Sequence, residues 1–249
     1  MVQELLIIFT FFMLGGAMKG ATGMGMPLFA VPALAAFFDV PFAIAMLMAP
    51  VFVTNLWQVW QYREHGAGLT FLPRLVVFAV VGILVGTWLL TALPSRYLSL
   101  GLGISTILYI LLRLVRPDLA IGPATARRWA PAVGVASGLL QGATGVSAPV
   151  SVTFVSGMRL SRPQFVLTVS ALFLSFVLTQ LPALTLAGVL TWQRALYSVL
   201  ALLPVTIGMP IGSWLARRMS PQGFDRLILT TLGAIAIKLL WDAGLNNVF

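Results

Sequence analysis

Two glycine-rich hexads, Gly20-Ala21-Thr22-Gly23-Met24-Gly25 and Gly142-Ala143-Thr144-Gly145-Val146-Ser147, stand 122 residues apart, and a proline follows two residues after each, Pro27 and Pro149. The apolar segments beside each hexad read as too short to cross a bilayer on their own. A chain broken twice at equivalent points within apolar sequence has few folds open to it. The pattern predicts a duplicated, broken intramembrane hairpin, the organisation of a secondary transporter whose site lies where the two breaks meet.

The hairpins need a membrane around them, and the composition supplies the reason: 59% of the residues are hydrophobic and 8% charged, with a mean hydropathy of +1.01. A soluble chain could not solvate that surface. The net charge of +9 does not point to nucleic acid, because the arginines fall in short loops between apolar runs, where they record orientation. With no cysteine, disulfides, thiolate metal sites and cysteine nucleophiles are excluded. The start, Met1-Val2-Gln3-Glu4, has neither a basic region nor a following small-x-small cleavage site, so the first apolar segment is expected to be retained.

Six apolar runs have the length of full spans: Pro41 to Tyr62, Leu72 to Leu93, Leu98 to Val115, Phe165 to Leu186, Ala195 to Ala216 and Leu227 to Trp241. Leu5 to Phe38 and Trp129 to Met158 contain the hexads, so hydropathy alone counts eight segments. The arms after the breaks, Pro27 to Phe38 and Pro149 to Met158, would reach only ~15 to 18 Å as helices, about half the ~30 Å hydrocarbon core. Each hexad is therefore expected as a loop near mid-depth. The fold class that follows is an all-α polytopic membrane protein of two inverted repeats, each a re-entrant hairpin plus three transmembrane helices. Residues 1–115 form the first repeat, 116–128 a cytoplasmic linker and 129–249 the second repeat, with hairpins at 5–38 and 129–158.

Basic residues test this layout. With re-entrant hairpins one face carries 11 arginines and the other only Arg96, Arg194 and Lys238, with Lys19 at a tip; with single crossings the division is 8 against 6. The positive-inside rule prefers the hairpins, makes the arginine-rich face cytoplasmic and leaves both termini outside. Three crossings per half, an odd number, invert the second half relative to the first. Asp39-Val40-Pro41 recurs as Ser161-Arg162-Pro163 and Gln58 as Gln180, both at an offset of 122, while Gly82, Gly86 and Trp88 recur as Gly208, Gly212 and Trp214 at 126.

Non-helical backbone in a bilayer must face protein or water, so the breaks are expected to border a cavity. Helices beginning near Pro27 and Pro149 would direct free N–H groups and positive dipole ends at it, which favours an anion. The candidate site comprises Lys19, Gly20, Thr22, Gly23 and Gly25 at the first break, Gln141, Gly142, Thr144, Gly145 and Ser147 at the second, and the amides Asn55, Gln58 and Gln180 on full spans. Thr22, Thr144 and Ser147 can supply hydroxyl donors. Lys19 is the one basic residue placed within the membrane, and a buried ammonium needs a partner that an anionic substrate would provide. Two structural roles compete: Lys19 can snorkel or bind backbone carbonyls, and the glycines can serve close helix packing. Ser170, Ser175 and Thr179 carry weaker signals, and His65 reads as a solvated loop residue. Trp57, Trp60, Trp129, Trp192 and Trp241 sit near span ends as interface anchors.

The six carboxylates, Glu4, Asp39, Glu64, Asp118, Asp225 and Asp242, fall at segment ends or in loops, so no buried proton relay is visible. Nor is there a metal-ligand cluster, a nucleophile with a base or a cofactor motif, and an enzyme is not expected. Outward movement of an anion needs no relay, since an interior-negative potential favours exit by ~2.3 kcal/mol per charge per 100 mV.

Gly15-Gly16 followed by the first hexad and Pro27, its echo from Gly138 through Pro149, the Asp39-Val40-Pro41 turn and the repeated Gly82, Gly86, Trp88 set together resemble the TauE/SafE, or sulfite exporter, family of small two-repeat permeases. The resemblance covers nearly the whole chain, although Val146-Ser147-Ala148 departs from the glycine-rich pattern. It implies movement of sulfite, sulfonates or related sulfur-containing organic anions across a bacterial inner membrane. The residues leave open a permease for carboxylate anions and a non-transporting membrane assembly protein. They set neither the direction, nor a coupling ion, nor an oligomeric state; the partners expected are a small anion and the lipid bilayer.

Overall fold

A computed structural model describes residues 2–115, 120–218 and 221–244. Residues 116–119 of the expected linker, with Arg116 and Asp118, lie outside the described residues, as does the side chain of Asp225. The described chain is helical throughout its ordered elements: Val2–Thr22 (α1), Met26–Ala35 (α2), Val40–Tyr62 (α3), Leu72–Ala92 (α4), Ser95–Val115 (α5), Pro123–Thr144 (α6), Ala148–Gly157 (α7), Arg162–Leu186 (α8), Trp192–Leu200 (α9), Leu202–Arg218 (α10) and Pro221–Gly244 (α11). It is an all-α polytopic membrane protein.

Local chemistry sets the helix starts. Asp39 accepts a hydrogen bond from the Phe42 N–H at 2.6 Å, and its repeat counterpart Ser161 forms a reciprocal capping box with Gln164. The run expected as one span from Ala195 to Ala216 is interrupted at Ala201. Pro204 has no N–H to return to the Leu200 carbonyl, so the helix yields one turn earlier. The helix α6 begins at Pro123, so the last part of the expected linker belongs to the second hairpin.

Each hairpin is real as a chain reversal. After the first break α2 runs back along α1, bringing the Phe29 and Phe37 rings to 6.3 and 5.6 Å from Phe11. At the base of the second, the Ile121 N–H donates to the Gly157 carbonyl at 2.8 Å, tying the chain before α6 to the end of α7. The returning arms α2 and α7 have 10 residues each, the half-membrane length expected. The entering arms are longer than expected. With 21 and 22 residues, α1 and α6 reach ~32 Å; α1 is long and apolar enough to cross a membrane, while the first turns of α6 carry the exposed Arg127 and Arg128. The reason is that Gly20-Ala21-Thr22 and Gly142-Ala143-Thr144 stay helical, so only Gly23–Gly25 and Gly145–Ser147 are loops. The loops therefore begin only at Gly23 and Gly145, and the two breaks come close enough to border one cavity.

Why those glycines remain helical is visible in the packing between halves. The first hairpin's α1 lies against α10 of the second repeat, and the second hairpin's α6 lies against α4 of the first. A Cβ on Gly16 would come within 2.7 Å of the Val205 carbonyl oxygen, and one on Gly142 within 2.7 Å of that of Ile83. Gly16 and Gly20 thus meet Gly208 and Gly212 across one seam, as Gly134, Gly138 and Gly142 meet Gly82 and Gly86 across the other. These are four-residue glycine spacings that let backbones touch, and in lipid such contact replaces the hydrophobic effect as the association force. Outward surfaces are apolar, with Val77, Val81, Leu84, Val85 and Trp88 of α4 all exposed, as are Trp57, Trp60, Trp129, Trp192 and Trp241. Bilayer lipid is the solvent such a surface fits.

Candidate functional site

The two breaks are built alike. In the first, the Gly23 N–H donates to the Lys19 carbonyl at 2.7 Å; in the second, the Gly145 N–H donates to the Gln141 carbonyl at 2.8 Å. Gly23, Gly25 and Gly145 have φ of 80°, 99° and 74°, the left-handed region that glycine adopts without strain. Ser147 replaces the second glycine of the first break at φ −100°, so the departure Val146-Ser147-Ala148 fits a loop with one left-handed residue instead of two. Gly145→Ala is expected to cost about 1–2 kcal/mol from backbone conformation alone. Its Cβ would also press on Ile44 at 2.9 Å and Val31 at 3.0 Å, and a lowered melting temperature of the purified protein checks the prediction.

Thr22 and Thr144 hold the loops shut. Each hydroxyl donates to the carbonyl four residues back, Met18 or Leu140, at 2.8 Å, and accepts from the N–H two residues on, Met24 or Val146, at 3.3 Å. Their protons are directed at backbone, not at open space. Amides brace the same breaks, Gln58 and Gln180 from neighbouring spans and Gln141 from the end of α6 itself. Gln58 donates to the Gly23 carbonyl and Gln180 to the Gly142 carbonyl, both at 3.1 Å, and Gln141 donates to the Gly145 carbonyl at 3.0 Å. Ser170, a weak signal in sequence, donates to Gln58 Oε1 at 2.9 Å and fixes which end of that amide faces the break.

Lys19 is 2% exposed, and its Nζ donates to Asn55 Oδ1 at 2.8 Å; Asn55 in turn donates to the Val51 carbonyl at 2.7 Å. The partner is neutral, and among the described residues the recorded ion pairs, Arg63–Glu64 and Lys238–Asp242, do not involve Lys19. A buried ammonium is thus held by a single amide oxygen.

Three cavities divide the candidate residues. The central one, about 440 Å³, is lined by Thr22, Met24, Gly25 and Pro27 of the first hairpin and by Val146, Ser147 and Ala148 of the second. It therefore meets the N-termini of both α2 and α7, neither of which has a side-chain cap. Arg113, Arg159 and Arg162 also line it, on the arginine-rich side. A second cavity of about 210 Å³ is lined by Lys19, Gly20, Gly23, Gln58 and Ser213, with Arg162 common to both. The third, about 10 Å³, is bordered by Gln141, Gly145 and Gln180 among apolar side chains. Asn55 reaches the site only through Lys19. Gly142 lies in the seam with α4, and Gly20 serves both its seam and the Lys19 cavity.

Sequence reasoning counted Arg113, Arg159 and Arg162 as markers of orientation only. A signal was present in the repeat: Arg159 and Arg162 stand where the first half has Phe37 and Val40, so the charge there is not part of the duplicated scaffold. Among the described residues no group of three or more His, Cys, Asp or Glu could hold a metal ion.

A family model described as Sulfite exporter TauE/SafE matches residues 7–239. No match was found among curated proteins or solved structures. The match runs through both breaks, both seams and the arginines of the central cavity, and so the chain belongs to the sulfite exporter TauE/SafE family.

Proposed function

We propose that this protein is a secondary transporter that moves small sulfur-containing anions, sulfite or organosulfonates, across the bacterial inner membrane by alternating access. Both termini lie on the periplasmic side in this reading, and the arginine-rich face is cytoplasmic. The observation that carries the proposal is the central cavity: two helix N-termini without side-chain caps and three arginines line a space bordered by both breaks. Free N–H groups at a helix start and their positive dipole end attract an anion, and the arginines raise its local concentration at the mouth. Lys19 provides buried positive charge next to this space, separated from it by the backbone of the first break.

The alternative of a non-transporting assembly protein asks the glycines to serve partner chains. Those of both seams are already filled from within the chain, which favours transport. Titrating the purified protein in detergent with sulfite, a short-chain sulfonate and a matched carboxylate tests the site. Saturable binding of the sulfur anions is expected, with Kd raised about 2- to 5-fold by Arg162→Gln and again by Arg159→Gln, the size of exposed charge interactions. Stronger binding of the carboxylate would turn the reading to a carboxylate permease, and no binding of any anion would count against the site.

A further inference from the structure

The Lys19 cavity and the small pocket at the second break occupy equivalent positions in the two halves of the sequence duplication. Four lining residues correspond at the repeat offset of 122: Lys19 with Gln141, Gly23 with Gly145, Gln58 with Gln180, and Val166 with Ile44. In the first half the space is about 210 Å³ and reaches Gln61, Tyr62 and Arg162 near the arginine-rich face. In the second it has shrunk to about 10 Å³, closed by Val31, Ile44 and Val177. Equivalent residues in equivalent loops thus enclose very different volumes.

The shrunken pocket carries a sign of incomplete closure. Gln141 Oε1 is buried with no hydrogen-bond partner, although its Nε2 is bonded to the Gly145 carbonyl. A buried amide oxygen without a partner costs free energy that water would remove, and a cavity of this size admits about one water. A bound water or an opening of the pocket would each remove that cost.

Resting on the transport reading, we propose that the pocket bounded by Gln141, Gly145 and Gln180 is a latent anion site, the arginine-poor-face counterpart of the Lys19 cavity, and that it opens as the Lys19 cavity closes. Inverted repeats make this exchange natural, since each half can adopt the conformation the other now holds. The ligand is the transported anion in a hydrated form, because the latent site offers amides where the open one offers an ammonium. Lys19 therefore holds the anion more strongly on the arginine-rich side, and Gln141 releases it on the other.

The absence of native cysteine makes the test direct. Val166→Cys and Ile44→Cys, each in proteoliposomes of fixed orientation, are treated from one face at a time with a small membrane-impermeant anionic thiosulfonate. Val166→Cys is expected to react from the arginine-rich face and Ile44→Cys from the opposite face. The second reaction should be about 10- to 1000-fold slower at rest, as suits a minor state populated at about 0.1–10%. Val177→Cys, which borders the same pocket, repeats the measurement where Ile44→Cys does not fold. Labelling of both positions from the same face, or of neither Ile44→Cys nor Val177→Cys while flux persists, overturns the inference and leaves transport standing. Loss of sulfur-anion flux in the wild-type vesicles overturns the transport reading itself.

Discussion

Lys19→Gln lowers anion flux by about 10- to 100-fold and leaves the protein folded. The size follows from the loss of one charge-assisted hydrogen bond, about 1.5–3 kcal/mol, to an anion passing through the Lys19 cavity. Retention of the fold is expected because the second half already has an amide, Gln141, at the equivalent position, and there the helix, the break and the bracing hydrogen bonds all form. The ammonium is buried against a single neutral oxygen, Asn55 Oδ1, so removing it abandons no partner charge. That separates this variant from one that breaks a buried ion pair, where the orphaned partner dominates the cost. Flux measured in liposomes at matched protein density, with a melting curve for each preparation, checks both halves of the prediction. Unchanged flux would take Lys19 out of the anion's path.

Gly138→Leu prevents accumulation of folded protein. A Cβ at this position would come within 2.7 Å of the Ile83 N atom, and the obstructing groups are backbone of α4, which no rotamer change can move. Overpacking typically costs about 1–3 kcal/mol, and more where the neighbour cannot yield. Here the whole α4–α6 seam, which joins the two repeats, would have to separate. Gly233→Leu is the control, since nothing lies within 4 Å of a Cβ placed there. The yield of monodisperse protein after extraction should collapse for the first variant and hold for the second. Equal yields would mean that the seam tolerates separation and that the glycines do not join the halves.

The same contrast shows what the amino-acid sequence made legible. The breaks could be read because glycine and proline interrupt apolar sequence, and two equivalent helix starts because Asp39 and Ser161 stand 122 residues apart and both cap. What could not be read was which glycines bend the chain and which let helices touch, since both types share one hexad. The distinction was available in their spacing: Gly16 and Gly20 are four apart, as are Gly208 and Gly212, whereas Gly23 and Gly25 fall out of that register. Treating each hexad as a single loop ended the entering helices three residues early, at Lys19 and Gln141 instead of Thr22 and Thr144. The run from Ala195 to Ala216 lies within one candidate span, Trp192–Arg218, and only its local turn at Ala201, before Pro204, was concealed by uniform hydropathy.

Lys19, Gln58, Gln141 and Gln180 stood out in the sequence because a polar group within an apolar run has few reasons to be there, and the structure puts Lys19 and Gln141 at the helix ends before the breaks with Gln58 and Gln180 bonded to break carbonyls. The roles of Thr22 and Thr144 were not legible, since a hydroxyl beside a glycine can cap a loop or face a ligand, and only the carbonyls of Met18 and Leu140 four residues back decide it. Arg162 was the largest omission. Its place between the central cavity and the Lys19 cavity depends on how α8 packs against α3 and brings Val166 onto Gly23 of the first break, contacts that no local pattern records.

The central claim is that an anion crosses the membrane through this protein. Purified protein in liposomes under an imposed potential, with sulfite and short-chain sulfonate flux followed on each side, tests it most directly. Saturable flux of a sulfur-containing anion that follows the potential and falls about tenfold or more in Lys19→Gln is expected. Folded protein that passes none of these anions at any potential would contradict it.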